Sequence, residues 1–103
     1  MFEFYKLFYS IGGKLPKRER HGIYAIADRL CLDITQDFIC AALEQKLVKR
    51  ISLARARIRI ETLKRFIRLM RELNIVHEKW YLQTEKELQE ISKMTSGWLR
   101  YLE

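Results

Sequence analysis

The sequence predicts an all-α protein, an up-down bundle of four helices in a single domain that spans residues 1–103. The chain has one proline and four glycines, the two residue types that helix interiors tolerate least. Hydrophobic residues make up 49% of it and recur at spacings of three and four, the pattern of amphipathic helices. No linker divides the chain, so we expect one core.

The first two helices are bounded by glycine and proline. A short helix at about residues 2–11 ends at Gly12-Gly13, a common helix stop. Pro16 suits the first turn of the next helix, which we expect over about residues 17–45. Its apolar residues follow the spacing of one buried face, namely Ile23, Ala27, Leu30, Ile34 and Ala41, with a flanking stripe of Tyr24, Cys31 and Phe38.

The third helix, at about residues 46–73, carries two apolar stripes. The first repeats as a heptad seam and comprises Leu53, Ala56, Ile60, Leu63, Ile67 and Met70. The second lies well over 100° around the helix and comprises Leu47, Ile51, Ala54, Ile58 and Leu69. We expect the first stripe to face the chain's own bundle and the second to face a further helix or a partner subunit.

The fourth helix follows a short turn at Asn74-Ile75 and covers about residues 76–102. Its predicted inward positions are Tyr81, Leu88, Ile91, Met94, Trp98 and Leu102. Short connections between long helices favour antiparallel neighbours, which gives the up-down bundle.

Positive charge is concentrated in the third helix. The formal net charge is +7, yet the residues from Lys46 to Arg71 hold ten lysines and arginines and one acid, a net of +9. Ten basic residues against twelve acids leave the rest of the chain at −2. A local field of this size attracts polyanions.

The basic residues of this helix form a regular ridge. Arg50, Arg57, Lys64 and Arg71 recur every seven residues, along one edge of the first apolar stripe. Seven of the ten are arginine, whose planar fork suits phosphate and carboxylate groups. The predicted polyanion contacts here are Lys46, Arg50, Arg55, Arg57, Arg59, Lys64, Arg65, Arg68 and Arg71. A plainly solvated charged face is the alternative interpretation.

A second basic patch, Lys17, Arg18 and Arg20, lies at the predicted start of the second helix. Free backbone N–H groups make a helix start favourable for phosphate, and these three residues are therefore added to the predicted contacts. The alternative is an ordinary loop with basic residues for solubility.

Nothing in the sequence predicts catalysis, a cofactor or a metal site. His21 and His77 are isolated, and no Gly-rich phosphate loop is present. Cys31 and Cys40 would lie about 13.5 Å apart along one helix, too far for a disulfide. No apolar run reaches the roughly 20 residues of a membrane span. The N-terminus lacks the basic n-region of a signal peptide, so we expect a cytoplasmic protein.

Two stretches of the sequence together match a pattern that is known from one protein family. The opening stretch is Leu15-Pro16-Lys17 with Arg20, before a long amphipathic helix. The closing stretch is Leu63-Lys64, Ile67-Arg68-Leu69, Leu73-Asn74-Ile75, Tyr81 and then Glu90-Ile91-Ser92-Lys93-Met94-Thr95-Ser96-Gly97-Trp98-Leu99-Arg100. This pattern resembles that of the accessory variability determinant (Avd) proteins of diversity-generating retroelements. Ser92 stands where the family usually has glycine, and Thr95-Ser96 replaces a more apolar pair.

The resemblance implies a function that composition does not. Avd-like proteins are four-helix bundles that assemble into basic homopentameric barrels, bind nucleic acid and the retroelement's reverse transcriptase, and support error-prone copying of template RNA into cDNA without being enzymes. By this resemblance, the basic residues of the third helix become RNA or polymerase contacts, and the second apolar stripe becomes a subunit interface.

Two alternatives stay open. A sister family, the bundle proteins encoded in intervening sequences of ribosomal RNA genes, shares the opening pattern but typically continues to an I-A-E-G segment, where this chain has Phe38-Ile39-Cys40-Ala41-Ala42. A protein-interaction bundle with no retroelement role would use the basic ridge to meet an acidic partner.

Overall fold

The computed structural model describes residues 1–103 and confirms the all-helical prediction. Helices hold 84% of the residues, and there is no strand. The α-helices are α1 (Phe2–Tyr9), α2 (Lys17–Arg20), α3 (Ile23–Leu43), α4 (Lys46–Glu72) and α5 (Glu78–Tyr101). Since α2 is a single turn, four helices build the bundle.

Helix α4 packs between α3 and α5, and α1 covers the opposite side of these two helices. The end of α1 meets the starts of both. The Tyr24 hydroxyl donates to the carbonyl oxygen of Phe8 at 3.2 Å, and the Trp80 indole donates to that of Leu7 at 3.4 Å. Because Tyr5 near the start of α1 donates to Asp28 further along α3 at 2.7 Å, α1 runs antiparallel to α3. The predicted up-down arrangement is therefore confirmed.

The predicted second helix, residues 17–45, is wrong in one respect, because the structure breaks it at His21-Gly22 into α2 and α3. The backbone of Gly22 has φ −106° and ψ −115°, and a Cβ atom there would lie 2.9 Å from the carbonyl oxygen of Arg18. The helix break at this point therefore favours a residue without a side chain. The first helix also ends earlier than predicted, at Tyr9, and Gly12–Lys14 forms a 3-10 turn.

The end of α4 is set by Asn74. Its φ of 60° lies in the left-handed region, which asparagine tolerates better than most residues and which stops the helix. The chain then turns into α5, which begins at Glu78 rather than at residue 76.

The core lies where the first stripe of α4 meets the aromatic residues of the other helices. All six stripe residues are buried, as predicted. Phe8 is fully buried, and its ring stacks on Tyr24 with centroids 4.9 Å apart. On α5, Tyr81 and Leu88 are buried.

Two apolar features stay uncovered in the single chain. The second stripe of α4 is solvent-exposed at Leu47, Ile51, Ile58 and Leu69. The prediction that Met94 points inward is wrong, because this side chain is 73% exposed. The physical reason is that α1 is too short to cover that part of α5.

Candidate nucleic-acid interface

The basic ridge of α4 lies along its boundary with α5. Two contacts fix this position. Lys64 Nζ donates to Gln89 Oε1 of α5 at 2.8 Å, and Arg71 Nε donates to Glu78 Oε2 at 2.9 Å. Because Arg50 and Arg57 precede Lys64 by two heptads and one, they lie on the same side of α4.

The half of the ridge near the start of α5 is partly neutralised by carboxylates. Lys64 lies 3.1 Å from Glu61, and Arg68 lies 4.0 Å from Glu85. Arg71 lies 2.8 Å from Glu78, whose hydrogen bond raises the pKa of the Arg71 guanidinium. These three residues stay in the predicted set, but a phosphate would have to compete with carboxylates already in place.

On the other side of α4, Arg55 and Arg59 converge on one buried carboxylate. Arg55 Nε donates to Asp37 Oδ1 and Arg59 Nη1 to Asp37 Oδ2, each at 2.8 Å, and the Asp37 side chain is 2% exposed. Burial of a carboxylate requires such partners. Both arginines therefore join α3 to α4, and this cluster retains one net positive charge.

The half of the ridge near the end of α5 is uncompensated. Lys46, Arg50 and Arg57 have no carboxylate within 4 Å, and neither has Lys49. The same holds for Arg65, further along α4.

A polar depression between α4 and α5 extends this uncompensated region. It has a volume of about 460 Å³. We call it the basic groove and define it by Arg57, Lys93, Arg100, Ser92 and Ser96. Glu103 is the one acid that lines it, so three cations face one carboxylate. Two guanidinium groups, an ammonium and the Ser96 hydroxyl are donors that suit a phosphate, whereas the Ser92 hydroxyl donates to Glu61 Oε1 at 3.4 Å.

Sequence reasoning missed Lys93 and Arg100 because each is isolated among neutral neighbours. A signal was present, since the two residues are seven positions apart and so share a face of α5. Lys93 and Arg100 form a candidate anion site only together with Arg57 on the opposite helix. The packing of α4 on α5 brings these three residues together, and the sequence alone does not show it.

The second predicted patch, Lys17, Arg18 and Arg20, is separate from the basic groove. It precedes the start of α3, whereas the groove lies at the end of α5, the opposite end of a bundle that is 43 Å long. In addition, α2 is one turn long and lacks the aligned peptide dipoles that favour phosphate at a long helix. The structure does not bring the two patches together.

Comparison with protein-family models, with curated proteins and with solved structures found no match for this chain. None of its helices combines the length and the apolarity that crossing a membrane requires.

Proposed function

We propose that the chain is a non-catalytic nucleic-acid-binding bundle that holds the phosphate backbone of RNA in the basic groove and along the adjoining start of α4. The observation that carries this proposal is the uncompensated cluster at one end of the bundle. Arg57, Lys93 and Arg100 line one depression, and Lys46 and Arg50 continue it along α4 without a carboxylate partner.

Binding of this kind depends on charge and is insensitive to sequence. Arginine and lysine contacts to phosphates release counterions, so affinity falls steeply as salt is added. Base readout on single strands uses aromatic stacking platforms, and no aromatic residue lines the basic groove. The expected ligand is therefore RNA, or DNA of similar charge density, held by its backbone.

The resemblance to Avd-like proteins gives this binding a biological setting. We propose that the chain is a cytoplasmic accessory factor of a diversity-generating retroelement, binds its template RNA and docks on its reverse transcriptase, which supplies the chemistry. The exposed second stripe of α4 supports self-association, and the resemblance makes a homopentamer the proposed assembly.

A salt titration against single-stranded RNA tests the proposal. The triple variant Arg57→Ala/Lys93→Ala/Arg100→Ala should bind more weakly at every salt concentration. A plot of log K against the logarithm of the salt concentration has a negative slope. If each residue meets one phosphate, the magnitude of this slope should decrease by about 2 in the triple variant, since each single-strand contact contributes roughly 0.7. Fluorescence anisotropy with a labelled oligonucleotide measures both quantities.

The matched control removes the same charge elsewhere. Lys17→Ala/Arg18→Ala/Arg20→Ala also lowers the net charge by three, but in the patch at the other end of the bundle. If the two triple variants lose equal affinity and slope, binding follows net charge and the basic groove is not the site.

A second function, docking on an acidic protein, is favoured by one observation. Arginine forks bind carboxylates as well as phosphates, as Arg68, Arg71 and the Arg55–Arg59 pair do within this chain, so the uncompensated Arg50 and Arg57 also suit a carboxylate-bearing partner. Absence of RNA binding at low salt would favour this function over the first.

A further inference from the structure

The trough between α3 and α5 is only partly filled by α1. Helix α1 has 8 residues, whereas α3 has 21 and α5 has 24. At 1.5 Å per residue these lengths are roughly 12, 31 and 36 Å, so α1 covers about a third of the trough.

The uncovered part of the trough is an apolar groove of about 600 Å³. We call it the open groove and define it by Phe38, Ile39 and Ala42 on α3 and by Ile91, Met94 and Trp98 on α5. Met1 and Phe2 close it at the end where α1 begins, and none of its lining side chains is charged.

The filled part shows what kind of element this trough accepts. Helix α1 inserts Phe4 and Phe8, one turn apart, and their side chains are 2% and 0% exposed. Under it lie Tyr24 and Cys31 of α3, both buried. The next residue of that heptad stripe is Phe38, which α1 does not reach and which is only part-buried. The same helix face therefore continues from a covered half to an uncovered half.

The charges beside the open groove are acidic on the α5 side. Glu87 and Glu90 lie one turn before the lining residues Ile91 and Met94, on the same side of α5. The Glu87 Oε2 atom is buried and accepts no hydrogen bond. A buried acceptor without a donor is unfavourable, so a rotamer that turns the Glu87 carboxylate toward a basic side chain of an occupant would be favoured.

We propose that the open groove binds an amphipathic helix of about two to three turns from a protein partner, apolar on one face and basic at its flanks. The helix lies end to end with α1 and inserts large apolar residues one turn apart, as α1 does. This site is on the opposite side of α5 from the basic groove, so the inference does not rest on RNA binding.

A free helix fits the trough better than a second copy of the bundle does. The exposed second stripe of α4 is apolar and lies among basic residues, but α4 is flanked on both sides by α3 and α5. Packed helices lie about 8–10 Å apart, so the flanking helices of a second copy would meet the walls of the trough before α4 reached Phe38 or Trp98.

A stapled peptide of about 12 residues tests the proposal, because an unconstrained helix of this length is marginal in water. The probe carries leucine at positions one turn apart and lysine at the flanks, and a second probe carries glutamate in place of lysine. We expect the lysine probe to bind, with a change in the fluorescence of Trp98, and the glutamate probe to bind at least about tenfold more weakly.

Two pairs of variants locate the binding. Met94→Asp places a charge in the open groove and should weaken the lysine probe by about tenfold or more, whereas Leu82→Asp, on another face of α5 with 55% exposure, should not. Glu90→Lys should reverse the preference between the two probes, and Glu72→Lys on α4 should leave it unchanged. All four positions are exposed, so circular dichroism should show unchanged helix content.

Three results would overturn the proposal. The first is that neither probe binds. The second is that binding is the same for Met94→Asp and Leu82→Asp. The third is that Met94→Asp dissociates an oligomer of the wild-type chain in sedimentation velocity, which would assign the open groove to a second copy.

Discussion

Replacement of Asp37 by alanine should destabilise the protein more than any other single change of an acidic residue. The Asp37 carboxylate is 2% exposed and accepts two charge-assisted hydrogen bonds, at 2.8 Å from Arg55 and 2.8 Å from Arg59. Loss of one partner of a fully buried ion pair costs about 3–5 kcal/mol. Here the Arg55 and Arg59 side chains are 49% and 32% exposed and can be rehydrated, so about 2–3 kcal/mol is expected.

The assay is unfolding in guanidinium chloride, monitored by circular dichroism, with Asp33→Ala as the control variant. Asp33 lies on the same helix and pairs with the largely exposed Arg29 at 3.3 Å, an arrangement worth less than about 1 kcal/mol. If Asp37→Ala lowers the free energy of unfolding by less than about 1 kcal/mol, or by no more than Asp33→Ala, the two arginine contacts do not join α3 to α4 as argued. A second readout is RNA affinity, which should rise if Arg55 and Arg59 are nucleic-acid contacts once released.

Two further predictions concern backbone space and pH. Gly22→Ala should destabilise the protein by more than about 1 kcal/mol, because the added Cβ would crowd the carbonyl oxygen of Arg18. Gly97→Ala should stabilise the protein by about 0.5–1 kcal/mol, because Gly97 lies within α5 with open space beside it. Urea unfolding measures both changes. Burial raises the pKa of Tyr24 to about 12, above about 10 in the unfolded chain, so its contribution to stability is complete below pH 10 and lost as pH rises toward 12. Between pH 9 and 11.5 the free energy of unfolding should therefore fall less steeply with pH for Tyr24→Phe than for the wild type. An equal fall in the two proteins would contradict the raised pKa of Tyr24.

Periodicity predicted which face of each helix is buried, and it succeeded where a neighbour covers that face. The first stripe of α4 is buried along its whole length because α3 and α5 flank it. Met94 follows the same periodicity on α5 but is exposed, since periodicity contains no information on how far α1 extends. Gly22 marked a weak point of the predicted second helix, but the complete break there depends on how closely the backbone of Gly22 approaches the carbonyl oxygen of Arg18, which the sequence does not show.

The register of the basic ridge was also predictable, but its pairing was not. Heptad spacing placed Arg57 and Arg71 on one side of α4. Whether each is free depends on the residue of α5 that lies opposite, which is Glu78 for Arg71 and the Lys93–Arg100 face for Arg57. A count of the charges within α4 alone therefore included Arg71, which already has a carboxylate partner, at one end of the ridge. At the other end it missed Lys93 and Arg100, the part of the basic groove that α5 contributes.

The last three turns of α5 give the bundle two different surfaces. Ser92, Lys93, Ser96 and Arg100 face the basic groove, whereas Ile91, Met94 and Trp98 face the open groove. The two grooves have no lining residue in common, so the proposed polyanion and the proposed amphipathic helix would not compete sterically. Since no ligand contact is shared, coupling between them would pass through a movement of α5 or through the electrostatic field between the two ligands. Variants in one groove are therefore suitable controls for the other, and a Met94→Asp variant that kept its RNA affinity would separate the two activities within one helix.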